Sequence, residues 1–469
     1  MAFISNIRFR KHPIFKEVSI NFSNDDEVNN SNHYNLIIGE NGTGKSELLK
    51  EIVRTFRLYK NDVTSVEYMH NFCDATVIRK KGGGKWPEKI LASSFSLNDK
   101  FPFLSEKDSA KNPYYKYLGI KGASNNAFLG KYKNVFFDSF LKINASTEKC
   151  RTFFNVMSSL ALPMVFVFKL SASRGYASFF KKMATLESSR LWTDFITNIS
   201  SKSMSTSRFS SSIMQKILND ENYASLVKKS LFSLNDEFSN DLSVRFDFSS
   251  TKGISNKELK RIENIKTLLE AGLISIDDVH LDSYGFFFNT SSGQFHIINN
   301  IITIISEIEN DSLVLIDEPE ISLHPSWQIN YMSVIQEILS NYKRCHVIIA
   351  THSHLLVTSM PIENSNVIVA RKDIDKNFSF EMLNASLTGW SSDMLLYSVF
   401  GVITQNNQAF DYDIKTIASL ISEWSYNDDN LNQYRNCLDR LKKYKLPGID
   451  PLSVFIAKAE EFYNSLEVS

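Results

Sequence analysis

The sequence predicts an α/β fold built on a mainly parallel sheet, and three observations carry that prediction. Short, wholly apolar runs recur at Leu36-Ile37-Ile38, Ile90-Leu91-Ala92, Leu313-Val314-Leu315-Ile316, Val347-Ile348-Ile349-Ala350 and Val367-Ile368-Val369-Ala370. Unbroken runs of this kind mark strands buried on both faces. Helical spacing separates several of them: Leu48, Leu49, Ile52, Val53 and Phe56; Ile297, Ile298, Ile301, Ile304, Ile305 and Ile308; Ile329, Met332, Ile335, Ile338 and Leu339. Polar motifs follow the carboxyl ends of the runs, where sheets of this class bind ligands.

Taken in order, Phe3, Ile4, Ile7 and Phe9 suggest a first strand. Val18, Ile20 and Phe22 alternate with Ser19 and Asn21 as a half-buried second strand. A polar stretch, Ser23 to Asn32, then leads to the run at Leu36. The segment after that run is Gly39-Glu40-Asn41-Gly42-Thr43-Gly44-Lys45-Ser46, which is G-x-x-x-x-G-K-[ST] without a mismatch. It is entered from a buried strand and left into a helix. That context makes it a phosphate cradle, with loop N–H groups and the positive helix end facing an anion. Lys45 is expected to reach the β/γ-phosphates and Ser46 to hold Mg²⁺. Gly39, Asn41, Gly42, Thr43, Gly44 and Glu47 complete the expected contacts, so the chain reads as a nucleoside-triphosphate-binding protein.

Beyond the loop, Ala75-Thr76-Val77-Ile78 and Ile90 to Phe95 read as strands, Arg151 to Leu162 as a helix and Met164 to Phe168 as a strand. Ser200 to Ser212 is serine-rich and reads as a loop or hinge. Asn256 to Leu273 is an amphipathic helix with Gly272 at its C-terminal cap. Pro325 opens a further helix, Val367 to Ala370 reads as the last strand, and the residues after about 400 read as helices. The expected organisation is a first ATPase lobe over residues 1–110 and a mainly helical insertion over 111–282. A second lobe comes next over 283–400, and then a helical C-terminal region over 401–469.

Composition narrows the function classes. Lys+Arg and Asp+Glu are equal at 52 each, which excludes a chain coated in basic charge for nucleic acid. Two local basic runs remain as candidate DNA-contacting patches: Arg79-Lys80-Lys81 with Lys85, and Arg440 to Lys445. Cys73, Cys150, Cys345 and Cys437 are far apart, so neither a disulfide framework nor a zinc site is expected, and a reducing cytoplasm is the expected location. No apolar stretch approaches a membrane span, and no membrane contact is expected.

Three further motifs come after the loop in order: Thr290-Ser291-Ser292-Gly293-Gln294, then Leu313-Val314-Leu315-Ile316-Asp317-Glu318, then His352 after an apolar strand. With the glycine loop, this ordered set resembles the ABC-type ATPases, in the soluble branch that includes SMC-like DNA-repair proteins, OLD-type nucleases and phage-defence ATPases. The resemblance implies a P-loop NTPase fold of ABC type with ATP and Mg²⁺ as cofactors. It gives Asp317 to Mg²⁺ beside Ser46, and Glu318 to the attacking water. His352 is left for the γ-phosphate, with Lys45 as the third catalytic group. In this family the signature, here Ser291, Gly293 and Gln294, caps ATP held by another subunit, so at least a dimer is implied. Family members carry a Gln after the strand that succeeds the P-loop helix. Here the matching place reads Ser96-Leu97-Asn98-Asp99, and Asn98 or Asp99 is the available substitute.

Within that class, heptad arms and a Toprim or HNH nuclease pattern are not visible in the sequence. Ser94 to Pro102, Tyr117 to Lys121 and Leu387 to Asp393 resemble the PtuA family of Septu-type defence ATPases. That family implies an antiphage ATPase whose nucleotide state gates a separate HNH nuclease, with DNA reached through the complex. The alternatives are a PARIS-type defence ATPase that sequesters a toxin effector, an SMC-like repair ATPase, or a non-hydrolysing ATP-dependent scaffold.

Overall fold

The structure is a computed structural model. It describes residues 4–23, 31–57, 65–70, 73–79, 87–94, 96, 99–103, 113–119, 125–173, 176, 192–193, 196–197, 211–234, 237, 242–249, 255–281, 285–286, 291–361, 363–373, 375, 377–383, 408–422, 427–442 and 451–467.

The chain opens with β1 (Ile4–His12), β2 (Lys16–Asn21), β3 (His33–Ile38), α1 (Lys45–Arg57), β4 (Ser65–His70), β5 (Cys73–Arg79), β6 (Lys89–Ser94) and β7 (Tyr115–Tyr117). Next come α2 (Asn125–Asn144), α3 (Thr147–Ser159), β8 (Val165–Ala172), α4 (Ser211–Asn219), α5 (Glu221–Ser233), β9 (Ser243–Asp247), α6 (Asn256–Glu270) and β10 (Ile274–Leu281). The pattern then returns to β11 (Gly285–Phe286), α7 (Ser292–Glu307), β12 (Ser312–Asp317), α8 (Pro325–Leu339), β13 (His346–Thr351), the single turn α9 (His354–Val357), β14 (Ser365–Lys372) and β15 (Phe378–Met382). The helices α10 (Gln408–Ser422), α11 (Asp428–Leu441) and α12 (Pro451–Glu467) complete the order.

The central sheet has seven strands in the order β15-β14-β3-β13-β12-β6-β7. Every neighbouring pair is parallel except β14 with β15. Its two faces enter two different cores. Leu36, Ile38, Val314, Ile316, Val347 and Ile349 pack on one side with α7 and α8. Ile37, Leu313, Leu315, Ile348 and Ala350 pack on the other with Leu48, Leu49, Ile52 and Val53 of α1 and the strands β1 and β2. Burial on both faces is why these strands are apolar at every position instead of every second one.

The structure departs from the sequence reading in five places. The region 111–282 holds helices, but its strands β8, β9 and β10 join β11 in a four-stranded antiparallel sheet of order β11-β10-β8-β9. The strand β7 lies beyond residue 110 and yet completes the central sheet. The strand at Val367 is not the last, because β15 pairs antiparallel with it and forms the edge. Ile329 is 44% exposed although Met332, Ile335, Ile338 and Leu339 are buried. The serine-rich residues 198–210 lie outside the described residues, and Ser211 and Ser212 already belong to α4.

A buried charge cluster ties α7 to the neighbouring elements. Glu307, at the end of α7, accepts from Lys89 of β6 at 2.8 Å and from Lys142 of α2 at 2.5 Å. Lys149 of α3 donates to the Ser306 carbonyl at 2.7 Å. Burial alone would raise the Glu307 carboxyl, but the Lys89 and Lys142 ammoniums outweigh it and hold the group down at about 2. A depressed carboxyl contributes stability that is fully present above its ordinary value of 4.5 and is lost as pH falls from there through about 2. Replacing Glu307 by alanine removes the buried carboxylate that Lys89 and Lys142 share, while Lys89 keeps Glu309 at 3.0 Å and Lys142 is 46% exposed, and is expected to destabilise the fold by about 2 kcal/mol. Urea unfolding at pH 7 checks this, and an unchanged midpoint would show that the cluster is solvated.

The helices α10, α11 and α12 enclose a small core of their own around Ile417, Tyr434, Leu438 and Leu441. Here Arg440 is not a free surface cation. It donates to the buried Asp413 at 2.6 and 2.8 Å, and Lys442 pairs with Glu460. Most of the described part of the second basic run is therefore neutralised. Residues 80–85 and 443–450 lie outside the described residues.

Candidate nucleotide site

Strand register assembles the site. Thr351 of β13 pairs with Ile38 of β3, Asp317 of β12 pairs with Ala350 of β13, and Ser94 of β6 pairs with the same Asp317. Four carboxyl ends are thereby level. The glycine loop, the Asp317-Glu318 pair, His352 and the segment leading to Asp99 all leave the sheet at one edge.

The loop geometry depends on its glycines. Gly44 has φ +88°, and a Cβ there would lie 2.7 Å from Phe15 Cε1, so any side chain meets both strain and a buried ring. Immediately after it, Lys45 is only 5% exposed, and its ammonium donates to the Gly39 and Glu40 carbonyls at 2.8 Å each. Burial lowers its pKa, and Glu318, Glu320, Asp317 and Glu40 oppose that shift. Ser46 Oγ donates to Asp317 Oδ1 at 3.0 Å, across 271 residues of sequence. Asp317 is 2% exposed, and burial pushes its carboxyl up to about 7, with Glu318, Asp99 and Glu320 adding to the rise. The Ser46 hydroxyl and the buried Asp317 carboxylate, with the charges of Glu318, Asp99 and Glu320 near enough to be felt, give a pair of hard oxygen donors in a negative field, which suits Mg²⁺. Glu47 is paired with Lys50 of its own helix, so only its backbone N–H remains for an anion.

Glu318 is a non-glycine residue in the left-handed region, with φ +50°. Its N–H is held by the Ala350 carbonyl at 2.8 Å. Strain of this kind is retained only where neighbours enforce it, and it clusters at functional sites. The Glu318 carboxylate lies 4.0 Å from His352 Nδ1. A nearer partner of the histidine is Glu320, whose Oε1 is 3.0 Å from Nδ1 and also accepts the His352 N–H at 2.8 Å. Sequence motifs do not single out Glu320. Its only signal there is a second acidic residue in Asp317-Glu318-Pro319-Glu320.

The signature residues stand apart. Ser291 caps α7, and a reciprocal capping box joins it to Gln294: Oγ accepts the Gln294 N–H at 3.3 Å, and the Gln294 side chain accepts the Ser291 N–H at 3.4 Å. A Cβ on Gly293 would lie 2.4 Å from the Ser322 carbonyl, so glycine is what lets the start of α7 touch the turn before α8. The two helix starts frame an open cleft of about 410 Å³ lined by Ser291, Gly293, Gln294, Ser322, His324, Ser326 and Trp327. No residue of the glycine loop is among them. His324 caps α8 with Nδ1 and forms one wall.

Of the two candidates for the missing Gln, Asn98 lies outside the described residues. Asp99 is buried, and its oxygens accept from the Phe101 N–H at 2.9 Å and the Tyr117 hydroxyl at 2.5 Å. It is close enough to raise the Asp317 pKa but is held by its own neighbours.

A seven-stranded, mainly parallel sheet with a glycine loop after β3, an Asp-Glu pair after β12 and a histidine after β13 has the layout of a P-loop α/β fold. Residues 187–358 match the family described as AAA domain, putative AbiEii toxin, Type IV TA system. The chain is similar to Protein ea59 of Escherichia phage lambda, 21% identical over 353 residues that cover 74% of this chain and 51% of that one. It is also similar to Septu protein PtuA of Bacillus mycoides (strain KBAB4), 22% identical over 267 residues that cover 52% of this chain and 34% of that one. It thus spans about half the length of the first relative and a third of the second. Among solved structures, an SmcHead bound to the C-winged helix domain of ScpA aligns over 81% of this chain and 97% of its own, with 10% identity and a TM-score of 0.30. The ADP conformation of MJ1267, an ATP-binding cassette of an ABC transporter, aligns over 79% and 87%, with 12% identity and a TM-score of 0.27. No helix among the described residues is long and apolar enough to cross a membrane.

Proposed function

We propose that this chain is an ATP-binding and ATP-hydrolysing subunit of an antiphage defence complex. The observation that carries the nucleotide part is the hydrogen bond from Ser46 to the buried Asp317, beside a buried Lys45. In this reading the loop N–H groups from Gly42 to Glu47 and the Lys45 ammonium hold the triphosphate, with Gly39, Asn41 and Thr43 shaping the loop. Ser46 and Asp317 hold Mg²⁺, which supplies charge neutralisation when bound. Glu318 orients the attacking water, and His352 faces the terminal phosphate. Ser291, Gly293 and Gln294 cap a nucleotide held by a second copy of the chain, which makes the active form at least a dimer.

The defence role rests on the resemblance to PtuA. In this reading the ATP state gates a separate HNH nuclease in the cytoplasm, and DNA is met through the complex. Two copies that share nucleotides bind ATP with different affinity when apart and together, which is the differential affinity that gating requires. A second reading, a scaffold that binds ATP without hydrolysing it, is favoured by one observation: Asp99 is engaged by Phe101 and Tyr117, so the usual Gln has no evident substitute among the described residues. Phosphate release separates the two, because turnover that Glu318→Gln removes supports the hydrolase, and equal background rates in both proteins support the scaffold. Ser291→Arg is expected to leave ATP affinity within about twofold while abolishing ATP-dependent association. Sedimentation velocity with ATP checks this, and a variant that still associates would refute the shared-nucleotide arrangement.

A further inference from the structure

We infer that Gln328 is a positioning residue: its side chain clamps the loop that carries His352 to the start of α8, which walls the cleft between the two helix starts. What the histidine serves rests on the ATPase reading above; the clamp does not. The Gln328 amide bridges two elements. Its Nε2 donates to the Leu323 carbonyl at 2.9 Å, and its Oε1 accepts the Ser353 hydroxyl at 2.7 Å. A carbonyl only accepts, so the NH₂ group must face Leu323 and the amide oxygen must face Ser353. The Ser353 oxygen in turn accepts the Leu355 N–H at 3.2 Å, which caps α9.

The helix explains the reach. Gln328 lies in the first turn of α8, and its N–H donates to the His324 carbonyl at 3.1 Å. Helical side chains lean toward the N-terminus, so this one extends back over the helix start to Leu323. Gln328 also continues the buried stripe of α8, three residues before Tyr331 and four before Met332, where packing alone asks for an apolar side chain. Ser353 follows His352 directly and is buried. The loop is thus pinned at two consecutive residues, by the Glu320 carboxylate on the His352 N–H at 2.8 Å and by Gln328 on the Ser353 hydroxyl. The imidazole itself stays 43% exposed, so a ligand can reach a ring whose backbone is fixed. Trp327, which lines the cleft, precedes Gln328 by about 100° around the helix. One helical turn therefore carries both the cleft wall and the clamp of the histidine loop.

The test uses the full chain without nucleotide, with hydrogen–deuterium exchange read by mass spectrometry. Gln328→Met keeps the length of the side chain and removes both amide bonds. Peptides covering residues 352–355 are expected to exchange at least about tenfold faster in this variant, while α1 keeps its wild-type rate. An unchanged rate in the loop overturns the inference. So does an equal acceleration in α1, which would mark a general loss of stability. Should Gln328→Met fail to fold, Gln328→Asn keeps the amide on a stem one methylene shorter, too short to hold both partners. The same loosening is expected there, and a wild-type rate has the same overturning force.

In steady-state ATPase assays, turnover is counted per bound nucleotide, so that a loss of folded protein leaves it unmoved. Gln328→Met is expected to lower kcat about 10- to 100-fold with KM within about twofold, because the clamp holds the histidine loop and not the glycine loop. Ser353→Ala should give a similar loss, and the two together no more than either alone. Additive losses, or a loosened loop with wild-type turnover, would overturn the positioning role. A wild type without turnover would end the hydrolase reading and leave the exchange result to decide the clamp.

Discussion

Replacing Lys45 by alanine is expected to lower ATP affinity by at least about 100-fold, equivalent to about 2.7 kcal/mol. The ammonium is buried between two carbonyls of its own loop and within reach of four carboxylates. Without it, a triphosphate would meet Asp317, Glu318 and Glu320 with that compensating charge gone, and like-charge repulsion would add to the lost contact. Titration with a fluorescent ATP analogue reads the change. Undiminished affinity in the variant would mean that the loop is not the nucleotide site.

The second large effect is expected at Glu318. Conversion to glutamine should reduce ATP turnover by about 10² or more and leave ATP affinity within a few-fold. The substitution keeps volume and hydrogen bonding but removes the capacity to take a proton. The left-handed backbone at this residue and its N–H bond to Ala350 are independent of the side-chain charge, so the local fold is expected to persist. Single-turnover phosphate release with matched binding data separates a chemical defect from a binding defect. A proportional loss of affinity would assign Glu318 to ligand binding in place of water activation.

Much of the candidate site was legible because it is local. The loop from Gly39 to Ser46, its strand and its helix form one continuous segment whose residue types leave little choice of conformation. The strands β12 and β13 could be read from their uninterrupted apolar runs because both faces are covered. The second sheet was less visible. The strand β10 carries a register shift between Ile276 and Asp278, which breaks the two-residue alternation that would have announced it. The strand β9 is only five residues long, and β15 is a short edge strand with just one buried residue, Phe380. Ile329 matched the helical stripe, but helical spacing does not say which residues of a stripe a neighbouring element covers.

The chemistry of the proposed triphosphate grip therefore belongs to the linear chain, since glycine φ preferences, a lysine and a hydroxyl lie within a few residues of one another. The pairing of distant groups belongs to the folded sheet. Register alone carries Ser46 to Asp317 across 271 positions, and Glu320 to His352 across 32. No local propensity encodes such contacts. They arise because parallel neighbours place their carboxyl ends level, so residues remote in sequence meet above one edge.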